Sequence, residues 1–181
     1  MKSRQISALV LTALGACLNV VGSFIVVALN LPILMDNLGT VFVAFFCGGW
    51  YAFPCALLSS LINASFDPFA LPFIPAGQTV ALFATLLARG VLAGKPVILR
   101  AFFISLPTSI VSALISAYIF GGITGSNITY MVQLLHGVFQ LSMVASVFIV
   151  QVFTDFVDKL IILMIVTTII RRLPKKYRDK A

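Results

Sequence analysis

Residues 38–66, LGTVFVAFFCGGWYAFPCALLSSLINASF, decide how the chain is organised. This apolar stretch forms either one long membrane span or two short ones broken at Gly48-Gly49-Trp50-Tyr51-Ala52-Phe53-Pro54. Charge parity chooses between them. Lys2 and Arg4 precede the first apolar run, and Arg89, Lys95 and Arg100 surround a later break. Basic residues flanking spans mark the cytoplasmic face, so both groups belong on that side and an even number of crossings separates them. The apolar runs at 6–29 and 76–88 supply two crossings, so 38–66 must supply two more. Each leg is then about 13–15 residues, roughly 20 Å of helix. That is too short for free lipid, so the legs must be buried against neighbours or meet a thinned or water-filled region.

Outward from this stretch the pattern continues in spans and breaks. The first span, 6–29, ends at Asn30-Leu31-Pro32, because the residue before proline is biased out of the helical region, and a short outer loop follows over 32–37. Asp67-Pro68-Phe69-Ala70-Leu71-Pro72-Phe73-Ile74-Pro75 carries three prolines and predicts an extended, stiff outer loop. An inner loop spans 89–96, a fifth crossing spans 97–120 with a kink at Pro107, and 121–127 forms an outer turn. Residues 127–170 are too long for one straight span, about 65 Å as a helix. Parity permits one crossing there, expected over 154–170, because Arg171 and Arg172 belong inside. Residues 129–151 then lie laterally near the outer face or bend away as an extension of the last helix. The expectation is an all-α polytopic membrane protein forming one domain over 1–181. It has six transmembrane helices, short second and third helices, and both termini cytoplasmic.

Composition narrows the function classes. Of 181 residues, 61% are hydrophobic and 9% charged, so nearly all of the chain is embedded in lipid and no soluble catalytic domain remains. The net charge of +7 sits beside the spans, where bases meet anionic headgroups. No basic stripe with interleaved aromatics exists, which argues against nucleic acid. Cys17, Cys47 and Cys55 lie in apolar stretches at spacings that suit neither a disulfide framework nor a metal site. Lys2 and Arg4 before an apolar run mimic a signal peptide, but the run is too long and lacks a small-residue cleavage site, so a retained first helix is expected. Gly90-Val91-Leu92-Ala93-Gly94-Lys95-Pro96 lacks the spacing and the Ser or Thr of a phosphate loop, so any ATP is bound by other chains. One histidine and no glutamate give a poor basis for an enzyme.

The acids point to a site. Asp36, Asp67, Asp155 and Asp158 lie in or beside apolar stretches on the expected outer side, and only Asp179 falls in the basic tail; Lys159 is the one base among them. Intramembrane ionisable residues mark ligand or ion paths by default. Gln133, His136, Gln140, Gln151, Asp155 and Asp158 follow helical steps and form one polar stripe. Asp155 and Lys159 are spaced to pair. The stripe lines a solute cavity, or it is a structural ion pair facing other helices. Asn19, Asn30, Asp36, Asn37, Asp67 and Gln78 converge from the outer ends of other helices, with Phe66, Phe69, Phe73 and Tyr118 as apolar walls. Such a mixture suits a planar, uncharged, heteroaromatic ligand. Turn and capping roles are the alternative for Asp36-Asn37 and Asp67-Pro68. Ala8, Thr12 and Ala16 form a small-residue face on the first helix, suited to internal packing or to docking another membrane subunit.

With these residues in view, the chain resembles the substrate-binding S component of an energy-coupling factor (ECF) vitamin transporter. The matching parts are the Ala-rich first helix, Leu34-Met35-Asp36-Asn37-Leu38-Gly39-Thr40, Gly48-Gly49-Trp50-Tyr51-Ala52, Asp67-Pro68, Phe73-Ile74-Pro75-Ala76-Gly77, Asp158-Lys159-Leu160-Ile161 and Arg172-Leu173-Pro174. The resemblance covers essentially the whole chain. It implies six helices, a ligand site near the outer face gated by the loop after the first helix, and no cofactor in this chain. It also implies docking of Ala8, Thr12 and Ala16 onto a membrane coupling subunit driven by two ATPase subunits. Thr12 departs from the family's Ala-x-x-x-Ala face. The Asp-Asn-Leu-Gly-Thr form is most similar to members assigned to pyridoxine or hydroxymethylpyrimidine. The expected location is the plasma membrane of a prokaryote. A proton-coupled secondary carrier, using Asp155 or Asp158, is the alternative; no inverted repeat supports it.

Overall fold

The first helix, α1 (Lys2–Ala28), stops through a local device. Asn30 adopts φ 51°, and the Asn30 and Leu31 amides donate to the Val27 and Val26 carbonyls, each at 3.1 Å. This pair of bonds satisfies carbonyls that a helix end leaves open. The structure, a computed structural model, describes residues 2–121 and 129–172, with the backbone alone at 2–4. The expected outer turn beyond Gly121, Asp179 and the basic tail from 173 onward lie outside the described residues.

All regular structure among the described residues is helical. α2 (Leu38–Cys47) and α3 (Gly49–Ala64) divide the 38–66 stretch, and the break falls at one residue. Gly48 sits at φ 87° and ψ 162°, a backbone region open essentially to glycine alone. Gly49 then lies so close to Thr85 that a Cβ would overlap that side chain. A 3₁₀ helix (Pro68–Phe73) leads into α4 (Ile74–Ala88), followed by α5 (Val97–Tyr118), α6 (Thr129–Phe139) and α7 (Met143–Arg172). α1 packs on α2 and α3, α4 on α2, α3 and α5, and α5 on α7. The central core joins Val41, Ala56, Val80, Ala84, Ile104, Ile162 and Val166 from five of these helices.

Two expectations are corrected here. The 67–75 segment is mostly a 3₁₀ helix rather than extended chain: the Asp67 carboxylate caps it by accepting the Phe69 N–H at 3.0 Å, and Pro68 starts it. The last helix, α7, begins at Met143 and runs through the crossing expected over 154–170, but the chain breaks before it at Gln140, with φ 52°. Gln133, His136 and Gln140 therefore leave the polar stripe, which survives only for Gln151, Asp155 and Asp158. Pro107 stands inside an uninterrupted α5.

Among the described residues, three stretches are long and apolar enough to cross a membrane: Gln5–Ala28, Pro68–Ala88 and Val97–Tyr118. α7 is longer, about 45 Å, with Asp155, Asp158 and Lys159 interrupting its apolar run. The outer face of α1 exposes Ile6, Leu9, Val10, Leu14, Leu18, Val21 and Ile25, as a lipid-facing helix does. Helix direction segregates charge. Arg89, Lys95, Arg100, Arg171 and Arg172 lie at the end of the bundle where α4 and α7 finish and α5 begins. Asp36 and Asp67 lie at the opposite end, and Asp155, Asp158 and Lys159 stand at the middle of α7. Exposed Trp50 marks the basic end and exposed Tyr118 and Tyr130 the other, the placement of interfacial aromatics.

The small-residue face of α1 is occupied within the chain, which corrects the docking expectation. Thr12 and Ala16 are buried, Ala16 packs with Val43 and Cys55, and Ala8 is half-buried with its carbonyl bonded to the Thr12 hydroxyl at 2.8 Å. The same face brings Gly15 against Gly39 so closely that a Cβ on Gly39 would overlap the Gly15 carbonyl. Asn19, fully buried, completes the joint. Its Oδ1 accepts the Gly39 and Thr40 amides at 2.6 and 3.3 Å, and its Nδ2 donates to the Thr40 and Ser59 hydroxyls at 2.8 and 3.1 Å. Asn37, at the cap position of α2, makes no cap bond with its own side chain. Asn19 thus caps α2 from another helix. Asn19→Ala should lose about 2–4 kcal/mol of stability, since it leaves buried amides unpaired. A fall in the melting temperature of detergent-purified chain, matched by Gly39→Ala, is the expected result.

Candidate functional site

α7 buries a cation among carboxylates. Lys159 is 1% exposed; its Nζ lies 2.8 Å from Asp158 Oδ2 and 3.8 Å from Asp155 Oδ1. The i,i+4 spacing anticipates the Asp155 contact, yet the tighter partner is the adjacent Asp158. Asp158 has a second task. Its Oδ1 accepts the Met35 N–H at 2.8 Å. Met35 holds φ 52°, and its carbonyl presses on Gly22 of α1 so closely that a Cβ there would overlap it. The loop between α1 and α2 is therefore pinned from both sides, by α7 and by α1.

That loop closes one wall of a cavity of about 410 Å³. Its other walls come from the end of α1, the end of α3, the 3₁₀ helix, the start of α4, the middle of α5, and α7. Asp36, Asn37, Asp67, Asp155 and Lys159, all expected from sequence, line it, with Phe66, Phe69 and Phe73. Asp158 stands behind Lys159, outside the lining. Asp36 Oδ1 accepts the Asn37 Nδ2–H at 2.6 Å. Removal from water pushes the Asp36 carboxyl above the usual carboxylate range, and the Lys159 ammonium pulls it back in part. Two polar atoms of lining residues are buried without a partner: Asp155 Oδ2 and Gln151 Oε1. Gln151 Nε2 is engaged, donating to the Ser116 hydroxyl at 3.2 Å.

Other sequence-selected residues lie elsewhere for definite reasons. Asn19 directs its amide into the α1–α2–α3 joint. Asn30 forms the exposed end of α1. Gln78 donates to the Phe53 carbonyl at 3.3 Å, tying α4 to α3. His136 is exposed and its Nδ1 lies 2.6 Å from the Leu141 carbonyl, while exposed Gln140 makes the α6–α7 break. Tyr118 is 78% exposed. Conversely, Ser23, Phe24, Ser60, Asn63, Thr108 and Ser112 line the cavity without having been selected for it. Ser59, Ser60 and Asn63 fall within one turn of an otherwise apolar helix, a signal that was present but shared with ordinary packing. Among the described residues, no group of three His, Cys, Asp or Glu is arranged to hold a metal ion.

No protein-family model, curated protein or solved structure matches this chain.

The ion pair sets a stability test. Lys159→Met leaves buried carboxylates uncompensated and should cost about 3–5 kcal/mol. Lys159→Met combined with Asp158→Asn removes the excess charge while keeping an acceptor for the Met35 amide, and should recover much of that loss in thermal melts.

Proposed function

We propose that the chain is the solute-capture subunit of an ECF-type importer, taking up a small water-soluble vitamin or vitamin precursor, with pyridoxine or hydroxymethylpyrimidine favoured. The observation that carries this is the 410 Å³ cavity at the end of the bundle opposite the bases, with unpartnered Asp155 Oδ2 and Gln151 Oε1 at its wall. A concave site with apolar walls and a few convergent polar groups is the form small-molecule sites take. By the positive-inside rule, the basic end faces the cytoplasm and the cavity opens outward. In this arrangement α1, α2, α3, α4, α5 and α7 make six crossings of a prokaryotic plasma membrane, with both termini inside. A membrane coupling subunit and two ATPase subunits drive release inward, since this chain carries no phosphate loop. Because Thr12 and Ala16 are buried, the coupling subunit meets a different face of the chain.

A proton-coupled carrier is the second reading, favoured by one observation: Asp155 lines the cavity and keeps a buried carboxylate oxygen without a hydrogen-bond partner. Uptake that survives ATP depletion but collapses with the proton gradient selects it.

Equilibrium binding of a vitamin panel to purified chain tests capture directly, and a tight binder is expected. Failure of every compound to bind cooperatively melting protein counts against it. Single cysteines at Asp67 and Lys95 should react with impermeant reagents from opposite sides of the membrane; labelling from one side overturns the topology.

A further inference from the structure

The cavity is unbalanced in charge. Asp36, Asp67 and Asp155 line it with one cation, Lys159, and that ammonium is already matched at 2.8 Å by Asp158 Oδ2. Three lining carboxylates, with Asp158 behind the lining, are thus set against one ammonium. Among the described residues, no other charged side chain lines the cavity: α1, α3, α4 and α5 contribute only uncharged ones. The imbalance coincides with a specific vacancy in bonding. Asp155 is 1% exposed and its Oδ2 has no donor, and one turn earlier Gln151, 6% exposed, has an unpartnered Oε1. Both are acceptors. A buried acceptor without a donor is costly, and more so when it is charged. A ligand bringing positive charge and N–H donors relieves both problems, whereas an anion adds to the repulsion. The aromatic walls agree, since Phe24, Phe66, Phe69 and Phe73 line the cavity and aromatic rings attract cations.

Resting on the capture function above, but departing from its uncharged hydroxymethyl ligands, we propose that this cavity selects small aromatic cations: ring compounds bearing a protonated amino group or ring nitrogen that pairs with the Asp155 carboxylate, with the Gln151 amide oxygen taking a second N–H. The tight Asp158–Lys159 pair screens the far side, so Asp155 is the carboxylate that reads the ligand's charge.

The test uses one ring scaffold with three charges. Pyridoxamine, pyridoxine and 4-pyridoxate differ mainly in an aminomethyl, hydroxymethyl or carboxylate substituent, and the matching aminomethyl, hydroxymethyl and carboxy pyrimidines form a second series. Titration calorimetry on the purified full chain should show the aminomethyl member binding about tenfold tighter than the hydroxymethyl one on whichever ring is accepted. The carboxylate should bind most weakly. Asp155→Asn should shrink the preference to about twofold or less without weakening the hydroxymethyl compound comparably. The charge order in the unmutated chain carries the test even where that variant fails to fold. Equal or tighter binding of the hydroxymethyl or carboxylate members overturns the proposal and leaves solute capture standing. Binding of none of the six by folded chain also overturns it, while solute capture is then decided by the wider vitamin panel.

Discussion

Lys159 and Asp158 form the interaction on which the site depends. A cation inside an apolar bundle is sustained only with a close anionic partner, and Asp158 supplies it at 2.8 Å. The same carboxylate holds the Met35 amide with its other oxygen. One residue therefore neutralises the buried charge and fastens the loop that walls the cavity. Asp155, farther from the ammonium at 3.8 Å, is left with an oxygen unclaimed by the protein. The division of labour between two aspartates on one helix follows from which of them the lysine reaches first.

The scaffold around this pair is built by close approach. Glycine at positions 15 and 39 lets α1 and α2 touch backbone to backbone, and Asn19 uses that proximity to cap α2 and bond to α3. α2 is only 10 residues long, and a helix so short draws its stability from tertiary packing rather than from its own propensity. Its start is secured by Asn19, its end by the Gly48 turn, and its face by the central core. The position of α2 in turn sets where Asp36 and Asn37 stand at the cavity rim.

Seen along the bundle axis, the bases and the cavity lie apart. The basic end is a set of helix termini and turns, while the acidic end is hollowed by the loop, the 3₁₀ helix and the middle of α7. Basic residues gathered at one end are the pattern that anionic headgroups favour.

Sequence alone determined the helical character, the break within 38–66, the grouping of bases at one end, and the candidacy of Asp36, Asp67, Asp155 and Lys159. These rest on composition, periodicity and charge order, which are written along the chain. Tertiary structure decided how the remaining polar residues are used. Asn19, Asn30 and Gln78 have the same amide chemistry as a ligand-binding residue, and only their three-dimensional neighbours show them capping or bracing helices. Asn63 and Ser23 became cavity residues through the way α1 and α3 cross. The small-residue face of α1 reads equally well as an internal or an external contact, and packing against α2 and α3 settled it as internal. Spacing lists which groups are able to meet on one helix. Which oxygen of which aspartate stays free is fixed by distances between segments more than a hundred residues apart, as for Asp158 and Met35, and no local pattern encodes that.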